Sequence, residues 1–304
     1  MERDIHFCIT PDDVRLAYSI AGEGQPIVRA GHWLTSLKKD MTSPVFGPWI
    51  REFSKNSQYI RYDERGSGLS DWNPDILTFD AWVRDLGTVV DHIGLKEFDL
   101  LGVSQGAPVS IVYAVKHPER VSHLVLVGAF GRGWNKRQHT LDEILARSAA
   151  RTLMGLNWDQ DNPAARQIFT SQFIPGGTIE QFDDFNWVQR FSTSARSAVR
   201  FWDIMGEVDV RELLPKVSVP TLILHARDDA IIPFDWGREL TSMIPNSKFV
   251  QLEGKNHIML EQEPAWNRFL SEVREFLGIK ELHEEPSLLP KGLGLPGWSR
   301  GPTK

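Results

Sequence analysis

Three residues spread along the 304-residue chain have the types and settings needed to activate a serine. Ser104 lies in Gly102-Val103-Ser104-Gln105-Gly106, between an apolar run from Phe98 and a helical pattern that starts at once. A serine at the tip of a strand-to-helix turn sits in strained backbone, and small residues two positions to either side let neighbouring backbone come close. The helix start adds free N–H groups and a positive dipole end where an oxyanion would form. Serine is a weak nucleophile at neutral pH, so it needs an adjacent base, and the base needs an orienting acid. His257, in Gly254-Lys-Asn-His257, and Asp229, in Asp229-Ala-Ile-Ile-Pro233, each follow an apolar strand pattern. Asp228 is the neighbouring alternative to Asp229. The histidines at 92, 117, 123 and 139 have no comparable context, and no pair of histidines has zinc-ligand spacing on an expected element. Cys8 is the one cysteine, which excludes an intrachain disulfide and a cysteine-based metal site.

The elements that must position these groups are legible in outline. Strand patterns fall at 5–10, 14–20, 27–30, 59–62, 98–103, 121–127, 219–225 and 248–252. Helical spacing falls at 45–54, at 78–93 between Thr78 and Gly94, after the elbow to about 116, at 235–244 and at 264–277. The apolar runs are too continuous for half-exposed strands, so the fold class expected is α/β, with a mostly parallel central sheet covered by helices on both faces. Residues 131–213 lack strand runs and are rich in Trp and Phe. They are expected to form a helical cap inserted after the sixth strand, leaving residues 1–130 and 214–280 as the core. Residues 281–304, dense in Pro and Gly, are expected to be an extended tail.

Composition narrows the setting. The chain is 41% hydrophobic and 24% charged, ordinary for a globular protein. A formal net charge of -6 argues against nucleic acid or an anionic membrane as partner. There is no signal-peptide pattern at the start and no apolar run of membrane-spanning length, so a cytoplasmic protein is expected. The expected partner is a small-molecule substrate, and a homodimer is left open.

Beyond the elbow, four further motifs stand in order: Gly22-x-Gly24-x-Pro26, the loop Tyr62-Asp-Glu-Arg65-Gly66-Ser-Gly68-Leu-Ser70, the acid loop from Asp229 to Pro233, and Gly254-x-x-His257. Over residues 12–278 the chain resembles the α/β-hydrolases, whose triad runs Ser, Asp, His along the sequence. The resemblance implies Ser104 as nucleophile, His257 as base and then acid, and Asp229 as the orienting carboxylate, by its spacing before Pro233. It implies no metal and no cofactor. Oxyanion donors would be the main-chain N–H of Gln105 and one from the loop after the third strand. There the chain departs from the family's His-Gly-aromatic order with Gly31-His32-Trp33. Trp33 falls at the donor position and His32 replaces a glycine, so His32 or Trp33 could be the donor. Candidate pocket residues are His32, Trp134, Trp187 and Ile258. The activity implied is cleavage of a carboxylic ester of a small to medium, partly apolar substrate. The same residues serve C–C, lactone or amide hydrolysis or acyl transfer. A reading of another class is a binding or sensing module with little turnover.

Overall fold

The computed structural model describes residues 4–33 and 35–279. In chain order its elements are β1 (Ile5–Ile9), β2 (Arg15–Ala21), β3 (Gln25–Arg29), α1 (Gly47–Phe53), β4 (Ser57–Tyr62), α2 (Phe79–Ile93), β5 (Phe98–Val103), α3 (Gly106–Lys116), β6 (Val121–Val127), α4 (Leu141–Asn157), α5 (Ala164–Phe173), α6 (Ile179–Ser192), α7 (Ala195–Glu207), β7 (Thr221–Ala226), α8 (Phe234–Met243), β8 (Ser247–Leu252) and α9 (Trp266–Leu277). Short 3-10 turns occur at Asp40–Thr42, Trp134–Lys136 and Arg211–Lys216.

The strands form one sheet in the order β1-β2-β4-β3-β5-β6-β7-β8. The first two run antiparallel to their neighbours, and the six from β4 to β8 are parallel. All six residues of β5 are buried, as its continuous apolar run requires of a central strand with both faces covered. The chain passes from β3 outward to β4, then returns to place β5 on the other side of β3. That reversal opens a crevice beyond the carboxyl ends of β3 and β5, where parallel sheets hold their ligands. Ser104 is the residue that emerges there.

Local chemistry explains the covering helices. Thr78 accepts from the Ala81 N–H to start α2, Gly94 ends it in the left-handed region, and Trp82, Leu86, Val89 and Val90 form the buried stripe between. In α3 every residue from Gly106 to Ala114 is buried, because this helix lies against the sheet centre.

Between β6 and β7 the chain forms four helices, α4 to α7. Thr140 with Glu143 and Thr178 with Gln181 make reciprocal capping boxes at the starts of α4 and α6. A bridge between Arg132 and Asp209 closes the base of this insertion. Within α4 only Met154 is buried. No helix among the described residues is long and apolar enough to cross a membrane. The expectation for residues 281–304 lies outside the described residues.

Candidate active site

The elbow has the backbone its sequence demands. Ser104 adopts φ 52, one of three positive-φ residues other than glycine among those described. A strained position of this kind persists only where its surroundings over-determine it. Here the Ser104 N–H donates to the Val127 carbonyl at 2.9 Å, and its carbonyl accepts from Ala107 at 3.0 Å. The flanking glycines are sterically required. A Cβ on Gly102 would come within 2.7 Å of Ser110 Oγ and 2.8 Å of Ala107 Cα, and one on Gly106 within 3.1 Å of the Gly31 carbonyl.

Two loops bring Asp229 and His257 to the same edge. Asp229 follows β7 and is buried, whereas Asp228 beside it is exposed. One Asp229 oxygen, Oδ1, accepts from the Ile231 and Ile232 N–H groups at 2.8 and 2.9 Å. The other, Oδ2, lies 2.7 Å from His257 Nδ1. Burial would raise this carboxyl, but the His257 charge and hydrogen bond and the Ile232 N–H outweigh it and hold it below the usual carboxylate range. An ionised carboxylate can only accept, so Nδ1 carries a proton, and in the neutral imidazole Nε2 bears the lone pair. That Nε2 is buried and has no hydrogen-bond partner. The insertion fixes the base loop: the Phe173 carbonyl, at the end of α5, accepts from the His257 N–H at 2.8 Å, and Gly176 donates to Asn256 at 2.7 Å. Gly128, directly after β6, has φ 55, and a Cβ there would meet His257 Cε1 at 2.8 Å. The end of β6 thus touches both Ser104 and His257.

The loop after β3 is tied to the elbow by a buried relay. Glu64 lies within 3.0 and 2.9 Å of Gln105 Nε2 through its two oxygens, and Gln105 Oε1 accepts from the Trp33 N–H at 3.1 Å. Burial raises the Glu64 carboxyl well above its ordinary range, against the opposing pull of the Gln105 amide. The Trp33 N–H, one of the two oxyanion donors the sequence offered alongside His32, is therefore spent on a side chain, because Gln105 reaches back across the crevice. The main-chain N–H of Gln105 itself, at the N-cap of α3, has no partner within the helix. His32 is buried, and its Nδ1 donates to the Trp33 carbonyl at 2.8 Å. Burial, then the neighbouring Arg29 charge, pulls its imidazole down to about 3, so it is neutral at physiological pH.

Ser104 opens into a cavity of about 280 Å³ lined largely by aromatic side chains, among them Trp33, Phe46, Phe169, Phe173 and Trp202. Three of the four pocket candidates from the sequence line it: His32, Trp134 and Ile258. Trp187 does not. It packs on Phe191 with a centroid separation of 4.9 Å, and the Lys39 ammonium lies 4.6 Å from its ring centre. The reason is helical phase. Phe185 on the same helix lines the cavity, and two residues further on the side chain has turned about 200° to the opposite face. Polar cavity residues not anticipated from sequence are Glu143, Arg147 and Gln172, all from α4 and α5. Nothing in a helical pattern says which polar residue turns inward. Among the described residues no group of three His, Cys, Asp or Glu side chains comes together as a metal site would require.

Comparison with known proteins agrees with this layout. A family model described as the alpha/beta hydrolase fold matches residues 41–264. The non-heme chloroperoxidase CPO-A1 of Kitasatospora aureofaciens is 26% identical over 281 residues, covering 89% of this chain and 98% of that protein. The AB hydrolase superfamily protein YisY of Bacillus subtilis is 25% identical over 262 residues, covering 83% and 92%. Among solved structures, the esterase EaEST from Exiguobacterium antarcticum superposes with a TM-score of 0.75 at 23% identity, over 90% of this chain and 98% of that one.

Proposed function

The chain belongs to the α/β-hydrolase fold family, and within it we propose that it is a serine hydrolase cleaving carboxylic esters of small to medium, partly apolar substrates. The observation that carries this reading is the state of His257. Its Nδ1 is committed to Asp229 and its Nε2 is buried and unpartnered, at the end of β6 that also holds the strained serine lining the aromatic cavity.

In this reading Ser104 Oγ attacks the ester carbonyl while its proton passes to His257 Nε2. The new C–O bond moves an electron pair onto the carbonyl oxygen. The main-chain N–H of Gln105 stabilises that oxyanion, with the His32 N–H of the facing loop as the second donor, since the Trp33 N–H is spent on Gln105. Collapse expels the alkoxide, which takes the proton from His257. A water molecule, giving a proton to His257, then attacks the acyl-enzyme. Departure of the acid returns that proton to Ser104. Asp229 stays ionised throughout and stabilises the imidazolium. Helices α4 to α7 act as the cap that excludes water and selects the acyl group. A cavity near 280 Å³ lies at the small end of the roughly 300–1,000 Å³ typical of ligand sites, which supports a substrate of modest size.

A second reading, a ligand-binding module with little turnover, draws on the occupied Trp33 N–H. A fluorophosphonate probe separates the two. The hydrolase reading expects labelling of the wild type that disappears in Ser104→Ala and His257→Ala. Folded wild-type protein that takes no label overturns it. A series of p-nitrophenyl esters of rising acyl length then separates ester cleavage from C–C or amide chemistry, which would give a flat profile near background.

A further inference from the structure

Arg147 projects from α4 into the wall of the cavity that Ser104 opens into. It is half-buried, and it makes no hydrogen bond or ion pair with any described residue, with Nη1 fully sequestered. A guanidinium carries five N–H donors and no means of losing its charge at neutral pH. Taking it out of water unpaired is costly. Its ordinary partner is present but engaged. Glu143, one helical turn earlier, has the favoured acid-before-base i,i+4 spacing. Yet Oε2 of Glu143 caps α4, accepting from the Thr140 N–H at 2.8 Å and from the Thr140 hydroxyl at 3.1 Å, and neither Glu143 oxygen forms a hydrogen bond or ion pair with Arg147. His139 Nδ1 lies 3.6 Å from the same oxygen. Arg147 feels the Glu143 charge through space and contacts the face of Trp134, 5.6 Å from its centroid, but neither satisfies any of its N–H donors. Gln172, exposed on α5, also lines this cavity and makes no side-chain hydrogen bond among the described residues. The result is an aromatic chamber with the nucleophile on the sheet side and uncommitted donors on the helical side.

We propose that Arg147, assisted by Gln172, binds a carboxylate on the substrate, so that the favoured substrate is an ester bearing a free carboxylate away from the bond that is cleaved. This rests on the hydrolase reading above and narrows its substrate class. The carboxylate is the group that matches a guanidinium fork, taking two parallel N–H bonds. The aromatic walls between the two ends take the apolar part of the molecule.

The test compares kcat/KM for matched charged and neutral esters. One pair is the p-nitrophenyl monoester of adipic acid and p-nitrophenyl hexanoate, which puts the anion on the acyl side. The other is 4-acetoxybenzoate and its methyl ester, which puts it on the leaving group. In at least one pair the wild type favours the anion, and that preference falls about tenfold or more in Arg147→Met, the scale expected for losing a charged hydrogen bond. Arg147→Lys, which keeps the charge without the fork, retains part of the preference. A charged-to-neutral ratio that Arg147→Met leaves unaltered in both pairs overturns the proposal. If no ester is turned over and the fluorophosphonate fails to label, the hydrolase reading is what has failed. Adipate itself is then titrated against the intrinsic fluorescence of the cavity tryptophans. Quenching by adipate that Arg147→Met weakens about tenfold upholds the anion site. Quenching that is equal in both proteins, or absent, overturns it.

Discussion

Replacing Gln105 by Met tests whether the Glu64–Gln105–Trp33 relay holds the loop beside the nucleophile. The substitution is close in volume and leaves the main-chain N–H of residue 105 in place. It removes an acceptor from the Trp33 N–H at 3.1 Å and a donor from Glu64, both fully buried. Two buried polar groups lose their partners, and each such loss costs about 1–3 kcal/mol, so the variant should be roughly 2–6 kcal/mol less stable. At about 2–4 °C per kcal/mol for a large domain, the melting temperature should drop by roughly 4–24 °C. Glu64→Gln provides the contrast. Its carbonyl can still accept from Gln105 Nε2, so its cost near neutral pH should be about 1 kcal/mol or less.

The pH dependence sharpens this contrast. Burial raises the folded Glu64 carboxyl above its ordinary 4.5. The folded state therefore binds the proton more tightly than the unfolded chain. Stability from Glu64 is full below 4.5 and is lost as pH rises through the folded value. Glu64→Gln lacks this loss, so its stability relative to wild type should improve steadily from about pH 4.5 upward. Urea unfolding of the three proteins across that range is the assay. A Gln105→Met protein melting within about 1 °C of wild type, or parallel pH curves for Glu64→Gln and wild type, would refute the relay.

Three further outcomes follow from the site. Asp229→Asn keeps the shape but lets the His257 tautomer reverse, and kcat should fall by about 10⁴, whereas the exposed Asp228→Asn should stay within about threefold of wild type. Parallel kcat losses in the two variants would return the acid role to an open choice between them. Asp229 also carries a stability signature of the opposite sign to Glu64: its folded carboxyl lies below 3.8, so its contribution is present above 3.8 and lost as pH falls through the lower value. Acid unfolding of Asp229→Asn against wild type should show the missing contribution as a shallower decline. Gly128→Ala puts a Cβ 2.8 Å from His257 Cε1 at a φ of 55, so fluorophosphonate labelling should slow by tenfold or more while the far-ultraviolet circular dichroism is retained. Trp187→Ala, on the face of α6 away from the cavity, should leave kcat/KM for a p-nitrophenyl ester within about twofold, and a larger loss would show that the ring acts on the cavity after all.

The elbow, the order of acid and base, and the strand and helix alternation were legible because each leaves a local trace. A positive-φ serine needs small residues at fixed offsets, and a buried parallel strand needs an unbroken apolar run. The starts of α4 and α6 are also written in the chain, as Thr140-x-x-Glu143 and Thr178-x-x-Gln181. What did not read through was direction. Trp134 and Trp187 look alike as tryptophans in a helical stretch, yet one lines the cavity and the other packs beneath Lys39.

Chemical identity is thus a property of the sequence: Ser104, His257 and an aspartate at 228 or 229, with their loops, follow from residue type and spacing, since strained turns and strand ends admit few alternatives. Hydrogen-bond commitment belongs to the tertiary structure alone. Only the folded chain decides that Asp229 rather than Asp228 meets the imidazole, that the Trp33 N–H is spent on Gln105, and that Arg147 lines the cavity with its Nη1 unpartnered. The physical reason is that donors and acceptors are shared across elements distant in sequence, and which pair forms depends on differences of tenths of an ångström that no local pattern encodes.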